Sequence, residues 1–135
     1  MRYVLDTSFL VGLSNMTDKY HELANTWLDQ IRSQDSWEFY ISDYVIDEFL
    51  SILIKGQSIS EAIEWGRFIY NGEFTTIIYC NEDIHQMAWK LLEQEDGERK
   101  PLNLTDCVVY ITNFLIKGDE ILTYDSRLQN YNKTI

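Results

Sequence analysis

Four acidic residues stand where a charged side chain is unfavourable. Asp6 follows the apolar run Tyr3-Val4-Leu5, and Asp125 ends a similar run, Ile121-Leu122-Thr123-Tyr124. Both read as carboxylates at the carboxyl end of a buried strand, where open α/β sheets place their ligand chemistry. Glu48 interrupts the apolar helical stretch Val45-Ile46-Asp47-Glu48-Phe49-Leu50, and Asp106 comes just before Cys107-Val108-Val109. An unpaired buried charge costs roughly several kcal/mol, so stability alone does not explain such placements. Carboxylates gathered in one crevice raise each other's pKa, and a hard divalent cation reverses that penalty. Mg²⁺ suits such a site, because it takes oxygen ligands in octahedral geometry and keeps several waters.

The elements between these acids must bring them together. Arg2–Leu5 is predicted as the first strand, with Asp6, Thr7 and Ser8 in the turn after it and a short apolar helix from Phe9. Thr17 or Asp18 caps a helix in which Leu23, Trp27, Leu28 and Ile31 recur at helical spacing. Residues 37–41 form a second strand, and Ser42-Asp43 caps a third helix with little room for polar faces. Lys55-Gly56-Gln57 ends it, and Ser58 with Glu61 makes a capping-box signature for a fourth helix. Residues 75–80 form a third strand, and Asn81 caps a helix through Leu92. A charged, mobile loop at 96–100 leads to a strongly apolar helix opened by Leu104-Thr105-Asp106, with Gly118 at its C′ position. Residues 121–124 are the last strand. Strands separated by helices imply right-handed βαβ units, hence an α/β fold with a mainly parallel central sheet flanked by helices on both faces. If the first and last strands are near one another, Asp6 and Asp125 face one crevice. Glu48 leans over it, and Asp106 lies in the first turn of a helix whose N–H dipoles point there.

The 135 residues, 45% of them hydrophobic and with a single proline, are read as one domain, 1–135, without a linker or internal repeat. The longest apolar stretches, such as residues 49–54, are far shorter than the ~20 residues of a membrane span. The N-terminus lacks the basic and apolar regions of a secretory signal. Cys80 and Cys107 lie in apolar contexts without metal-ligand spacing, as expected of reduced, buried thiols in a cytoplasmic protein. A formal charge of −11, from 11 basic and 22 acidic residues, excludes a broad basic face for nucleic acid. Any polyanion site must be local, and the acidity favours a basic protein partner.

Each acid taken singly also has an ordinary reading. Asp6 and Asp125 can be turn or cap formers, Asp106 a first-turn acid, and Glu48 a partner of Lys55 or Arg127. Asp47 is expected in solvent. Trp27, Trp65 and Trp89 fall at core spacings, while His21 and His85 suit surface or boundary positions. The run Glu93-Gln94-Glu95-Asp96-Gly97-Glu98 reads as a hydrated helix end. The four acids together favour a metal site over coincidence.

The order and context of the acids carry a resemblance. Val4-Leu5-Asp6-Thr7-Ser8, Ile46-Asp47-Glu48-Phe49-Leu50, Leu104-Thr105-Asp106-Cys107 and Leu122-Thr123-Tyr124-Asp125 resemble the four acidic motifs of PIN-domain ribonucleases, over essentially the whole chain. The length resembles that of the toxin subunits of VapBC-type toxin–antitoxin pairs. The resemblance implies a PIN-like fold in which Asp6, Glu48, Asp106 and Asp125 are the catalytic, metal-binding acids, with Ser8 and Thr123 supporting them. It implies Mg²⁺, for which Mn²⁺ can substitute, and RNA phosphodiester hydrolysis by water. It further implies a small antitoxin partner and a homodimer. Lys55, Arg99, Lys100 and Arg127 are candidate RNA contacts at the rim of the crevice. Three features depart from the motifs: Tyr124 where many members have Asn, Cys107 where Ala is common, and Ser126-Arg127-Leu128 where an aromatic often follows. A haloacid-dehalogenase-type phosphohydrolase would need a second Asp where Ser8 stands. The alternative function is a non-catalytic acidic module that keeps the fold and binds a basic protein.

Overall fold

The computed structural model describes residues 1–131. Strand β1 (Arg2–Leu5) runs into helix α1 (Thr7–Ser14), followed by α2 (His21–Arg32) and β2 (Glu38–Ser42). Helices α3 (Asp43–Gly56) and α4 (Ile59–Tyr70) then lead to β3 (Thr76–Ile78) and α5 (Glu82–Glu93). Helix α6 (Leu104–Leu115), β4 (Glu120–Leu122) and the short α7 (Ser126–Gln129) complete the described chain. The strands lie in the order β3-β2-β1-β4, and every neighbouring pair is parallel. Tyr3, Val4 and Leu5 are consecutive and all buried. Successive strand residues point to opposite faces, so both faces of the central strand are covered.

The sheet order reverses at β1. The chain steps outward from β1 through β2 to β3, then returns to pair β4 with the other side of β1. Leu5 pairs with Leu122, and the Asp6 amide extends the ladder by donating to the Leu122 carbonyl at 3.0 Å. A parallel sheet opens a crevice at such a switch point, beyond the carboxyl ends of its strands. Helix α6 packs across β4, β1 and β2, with α5 against it, while α1 and α3 pack together. The elements nearest the crevice therefore start where the acids are.

Local rules account for most helix ends. Ser42, Ser58, Asn81 and Asn103 cap α3, α4, α5 and α6 through their side chains, each accepting a backbone N–H of the first turn. The helix predicted from Phe9 begins two residues earlier, directly on β1. The C′ position after α6 is Lys117, with φ 55°, rather than Gly118. Lys117 and Gly118 donate to the Phe114 and Asn113 carbonyls, which makes a Schellman end. At Gly118 a Cβ would lie 2.0 Å from Asn113 Oδ1, so a larger residue there would have to displace the Asn113 side chain.

Three further expectations are corrected by packing. Trp27 and Trp65 pack against the core, but Trp89 is 53% exposed. Cys107 is buried as expected, whereas Cys80 is only half-buried. Glu95 is not hydrated: it is 3% exposed, and its Oε1 accepts from the Leu102 amide at 2.8 Å and from Arg127 Nη2 at 2.7 Å. A run of acids reads as solvated because sequence does not show which member turns inward onto an arginine 32 residues away. Removing one partner of a buried pair strands the other charge, so Arg127→Met should destabilise the protein by about 3 kcal/mol in urea unfolding. Glu95→Leu in the same chain should recover part of that loss, and a near-zero effect of Arg127→Met alone would refute the pairing.

Candidate active site

The four sequence-predicted acids line one cavity of about 360 Å³. Asp6 is the most enclosed of them, at 4% exposure. It occupies the N-cap position of α1, yet its carboxylate makes no capping bond. Its Oδ2 instead accepts from the hydroxyls of Thr123 at 2.6 Å and Ser8 at 3.3 Å. Asp6 is therefore not a side-chain cap of α1. Thr123 is wholly buried, and its hydroxyl oxygen also accepts the Asp125 amide at 3.0 Å. Ser8 Oγ lies 3.2 Å from that hydroxyl and accepts the Tyr124 amide at 2.9 Å. Ser8 and Thr123 thus stitch the end of β1 to the segment after β4.

Asp106 and Asp125 perform both kinds of work. Asp106 completes a capping box on α6, its Oδ2 accepting the Asn103 amide at 3.0 Å while Asn103 Oδ1 accepts its own amide at 2.8 Å. Asp125 caps α7 by accepting the Arg127 amide at 2.9 Å. Each keeps its second carboxylate oxygen free of hydrogen bonds among the described residues. Glu48, on α3, makes no hydrogen bond or ion pair there, so neither Lys55 nor Arg127 neutralises it. Glu95 holds both flanks of the site, since its bonds fix Leu102 at the entrance to α6 and Arg127 just after Asp125.

Electrostatics follow from this crowding. Burial pushes the Asp6 carboxyl above its ordinary range; bonds from Thr123, Thr7 and Ser8 oppose the shift, and the Glu48 charge adds to it. Asp106 is pushed up to about 6, first by burial and then by the charges of Asp6, Asp125 and Glu48, against the lowering effect of the Asn103 amide. Among the described residues no lysine or arginine forms an ion pair with any of the four. The donor set suits a hard dication: oxygen-only, multiply anionic and uncompensated. As placed, no three carboxylates among the described residues are close enough together to hold one ion, so binding requires side-chain rotation.

The rim differs from the one expected. Lys55 lines an adjoining cavity of about 610 Å³ that shares Glu48 and Ile52 with the acidic one. Arg99 and Lys100 are exposed and line neither cavity. Arg127 is committed to Glu95. Sequence reasoning missed Asn103, Lys19 and Tyr20, which do line the acidic cavity. Asn103 carried a signal, being an Asx residue three before an acid at a helix start. Asp18 was legible only as a cap, and Lys19 and Tyr20 carried no signal.

Two measurements test this geometry. Thr123→Val removes the Asp6 bond and leaves the Asp125 amide without its acceptor; it should cost about 1–3 kcal/mol of stability. Metal affinity should fall about 10–100-fold, with Thr123→Ser close to wild type in both. A carboxyl whose folded pKa exceeds its unfolded value binds protons more tightly when folded. Metal-free protein should therefore gain stability as pH falls through about 6 towards 3.8, and thermal melts in EDTA should show Asp106→Asn losing that gain.

Comparison with known proteins agrees with the fold. Residues 3–134 match the PIN domain family. No curated protein sequence matches the chain. Mycobacterium tuberculosis VapC20, described as a sarcin-ricin loop cleaving toxin, superposes with a TM-score of 0.81 at 17% identity, over 93% of this chain and 92% of that one. VapBC-1 from nontypeable Haemophilus influenzae gives 0.66 at 16% identity, over 95% and 90%. VapBC2 from Rickettsia felis, bound to a DNA fragment from its promoter, gives 0.68 at 12% identity, over 94% and 90%. At such identities the structural likeness is one of fold, and it joins a family match across nearly the whole length: this chain belongs to the PIN domain family.

Proposed function

We propose that this protein is a divalent-metal-dependent endoribonuclease, the toxin of a type II toxin–antitoxin pair. The observation that carries the reading is the single cavity lined by Asp6, Glu48, Asp106 and Asp125, with no cation of the described residues paired to any of them. The likeness in fold to VapC20, described as a sarcin-ricin loop cleaving toxin, and to two VapBC structures supports it as well. Bound there, Mg²⁺ or Mn²⁺ would offset the carboxylate repulsion and steady the charge that grows on a scissile phosphate.

The chain's own groups divide the remaining work. Ser8 and Thr123 hold Asp6 in one orientation, which fixes a ligand before substrate arrives. Glu48 is free to turn and accept a proton from an attacking water. Asp106 and Asp125 stand at the N-termini of α6 and α7, with one oxygen each anchored to backbone. Because water attacks rather than a ribose hydroxyl, the products carry 5′-phosphate and 3′-hydroxyl ends.

A partner also follows. Ile52 and Ile54 on α3, with Ile59, Ile63, Phe68 and Tyr70 on α4, are large apolar side chains left exposed. Such an apolar set beside a charged site fits an antitoxin or a second copy better than free solvent. The chain is accordingly proposed to work in the cytoplasm as a homodimer; no described helix is long and apolar enough to cross a membrane. The acidic balance leaves binding of a basic protein without catalysis as the competing outcome.

Purified protein with Mn²⁺ should cut structured RNA, stop in EDTA, and lose at least about a hundredfold in rate as Asp6→Asn. Cleavage that persists in EDTA, or that leaves 2′,3′-cyclic phosphates, would contradict the mechanism. Equal inactivity of wild type and Asp6→Asn on every RNA would favour the non-catalytic module.

A further inference from the structure

We propose that Lys19 binds a phosphate of the RNA strand next to the cleaved bond, from a seat built by Tyr20 and Tyr124. The inference rests on the nuclease reading and adds a substrate contact to it. Lys19 is the one lysine or arginine among the described residues that line the acidic cavity. It is exposed and forms no ion pair among the described residues, so it is not the counter-ion of the acids around it. Its Nζ rests 5.0 Å from the centroid of the Tyr20 ring. That ring stacks on Tyr124, with centroids 4.3 Å apart and planes within 3°. Tyr124 directly precedes Asp125, so the cation is tied through two aromatic rings to the backbone that carries a site acid.

The main chain under Lys19 is fixed as well. Asp18 Oδ2 accepts the Tyr20 amide at 3.0 Å, and the Asp18 carbonyl accepts the His21 amide at 3.0 Å. Lys19 therefore leaves a stapled turn at the start of α2. Its ammonium is held only by a ring face, a contact weak enough at an exposed site to yield to a phosphate oxygen. A charge-assisted bond from a compact ammonium to phosphate is the stronger pairing.

The electrostatic need is specific to this chain. A net charge of −11 and four carboxylates in one cavity repel an approaching polyanion. A dication settles the charge at the reacting phosphate, but the neighbouring phosphates still meet an acidic wall. Lys19 supplies positive charge at that rim without entering the ion's place. It also gives Tyr124 a purpose where the resemblance would have Asn: a flat ring that completes the stack.

The test uses steady-state cleavage of total ribosomal and transfer RNA in Mn²⁺, then of the fragment that wild type cuts. Lys19→Ala should raise KM about tenfold with kcat nearly unchanged. The slope of log(kcat/KM) against log salt should become shallower by about 0.7, the share of one contact to a single strand. Lys19→Arg should restore both. The melting temperature and its rise with Mn²⁺ should match wild type, since Lys19 holds neither core nor metal. If wild type cuts but Lys19→Ala keeps the same KM and salt slope, the phosphate contact is refuted while the nuclease stands. A loss of kcat at constant KM would likewise overturn it. If wild type cuts no RNA and Mn²⁺ leaves its melting unchanged, both readings fall together.

Discussion

Negative charge confined at the sheet's switch point is the constraint on which the rest of this molecule turns. Pairing β4 beside β1 delivers Asp6 and the Thr123–Asp125 segment to one place, and the 2.6 Å bond from the Thr123 hydroxyl to Asp6 locks them together. Helices α3 and α6 then bring Glu48 and Asp106 to the same cavity. Burial first, and then the neighbouring carboxylate charges, raise the proton affinity of Asp106. A fold under selection for stability alone would have placed an arginine among them. Here the half-buried Arg127, two residues after Asp125, pairs with Glu95 instead.

That second pairing shows how the strain is contained. Glu95 is a buried carboxylate with its own cation, and its two bonds brace the segments that carry Asp106 and Asp125. One acidic group is thus paired with an arginine, while the four lining the cavity form no ion pair among the described residues. The same division recurs in the apolar residues. Most of those in β1, β2 and the first turns of α6 are packed away, whereas several on α3 and α4 remain exposed, Ile52 among them in the lining of the acidic cavity. Exposed apolar surface of this extent describes a place where other molecules bind.

Much of this was legible in the residues themselves. The four acids stood out because each broke an apolar pattern, and parallel α/β topology followed from the alternation of strands and capped helices. Ser42, Ser58 and Asn81 announced their helices correctly, since capping is a local bond. What stayed hidden depended on distant partners. Glu95 looked solvated because its arginine lies far along the chain. Arg99 and Lys100 looked like rim residues from their closeness to Asp106 in sequence, but line neither cavity beside it. Lys19 carried no sequence signal, and it reaches the cavity lining only because the turn before α2 folds back beside Tyr124. Trp89 obeyed helical spacing on α5 and still faces outward, for the pattern does not say where the packed face ends.

The account stands on whether these carboxylates share an ion. Anomalous diffraction from crystals grown in Mn²⁺ measures this directly. A peak between Asp6 and at least two of Glu48, Asp106 and Asp125, with rotated side chains and octahedral oxygens, is the result expected. Ordered carboxylates with no peak among them at saturating Mn²⁺ would contradict it.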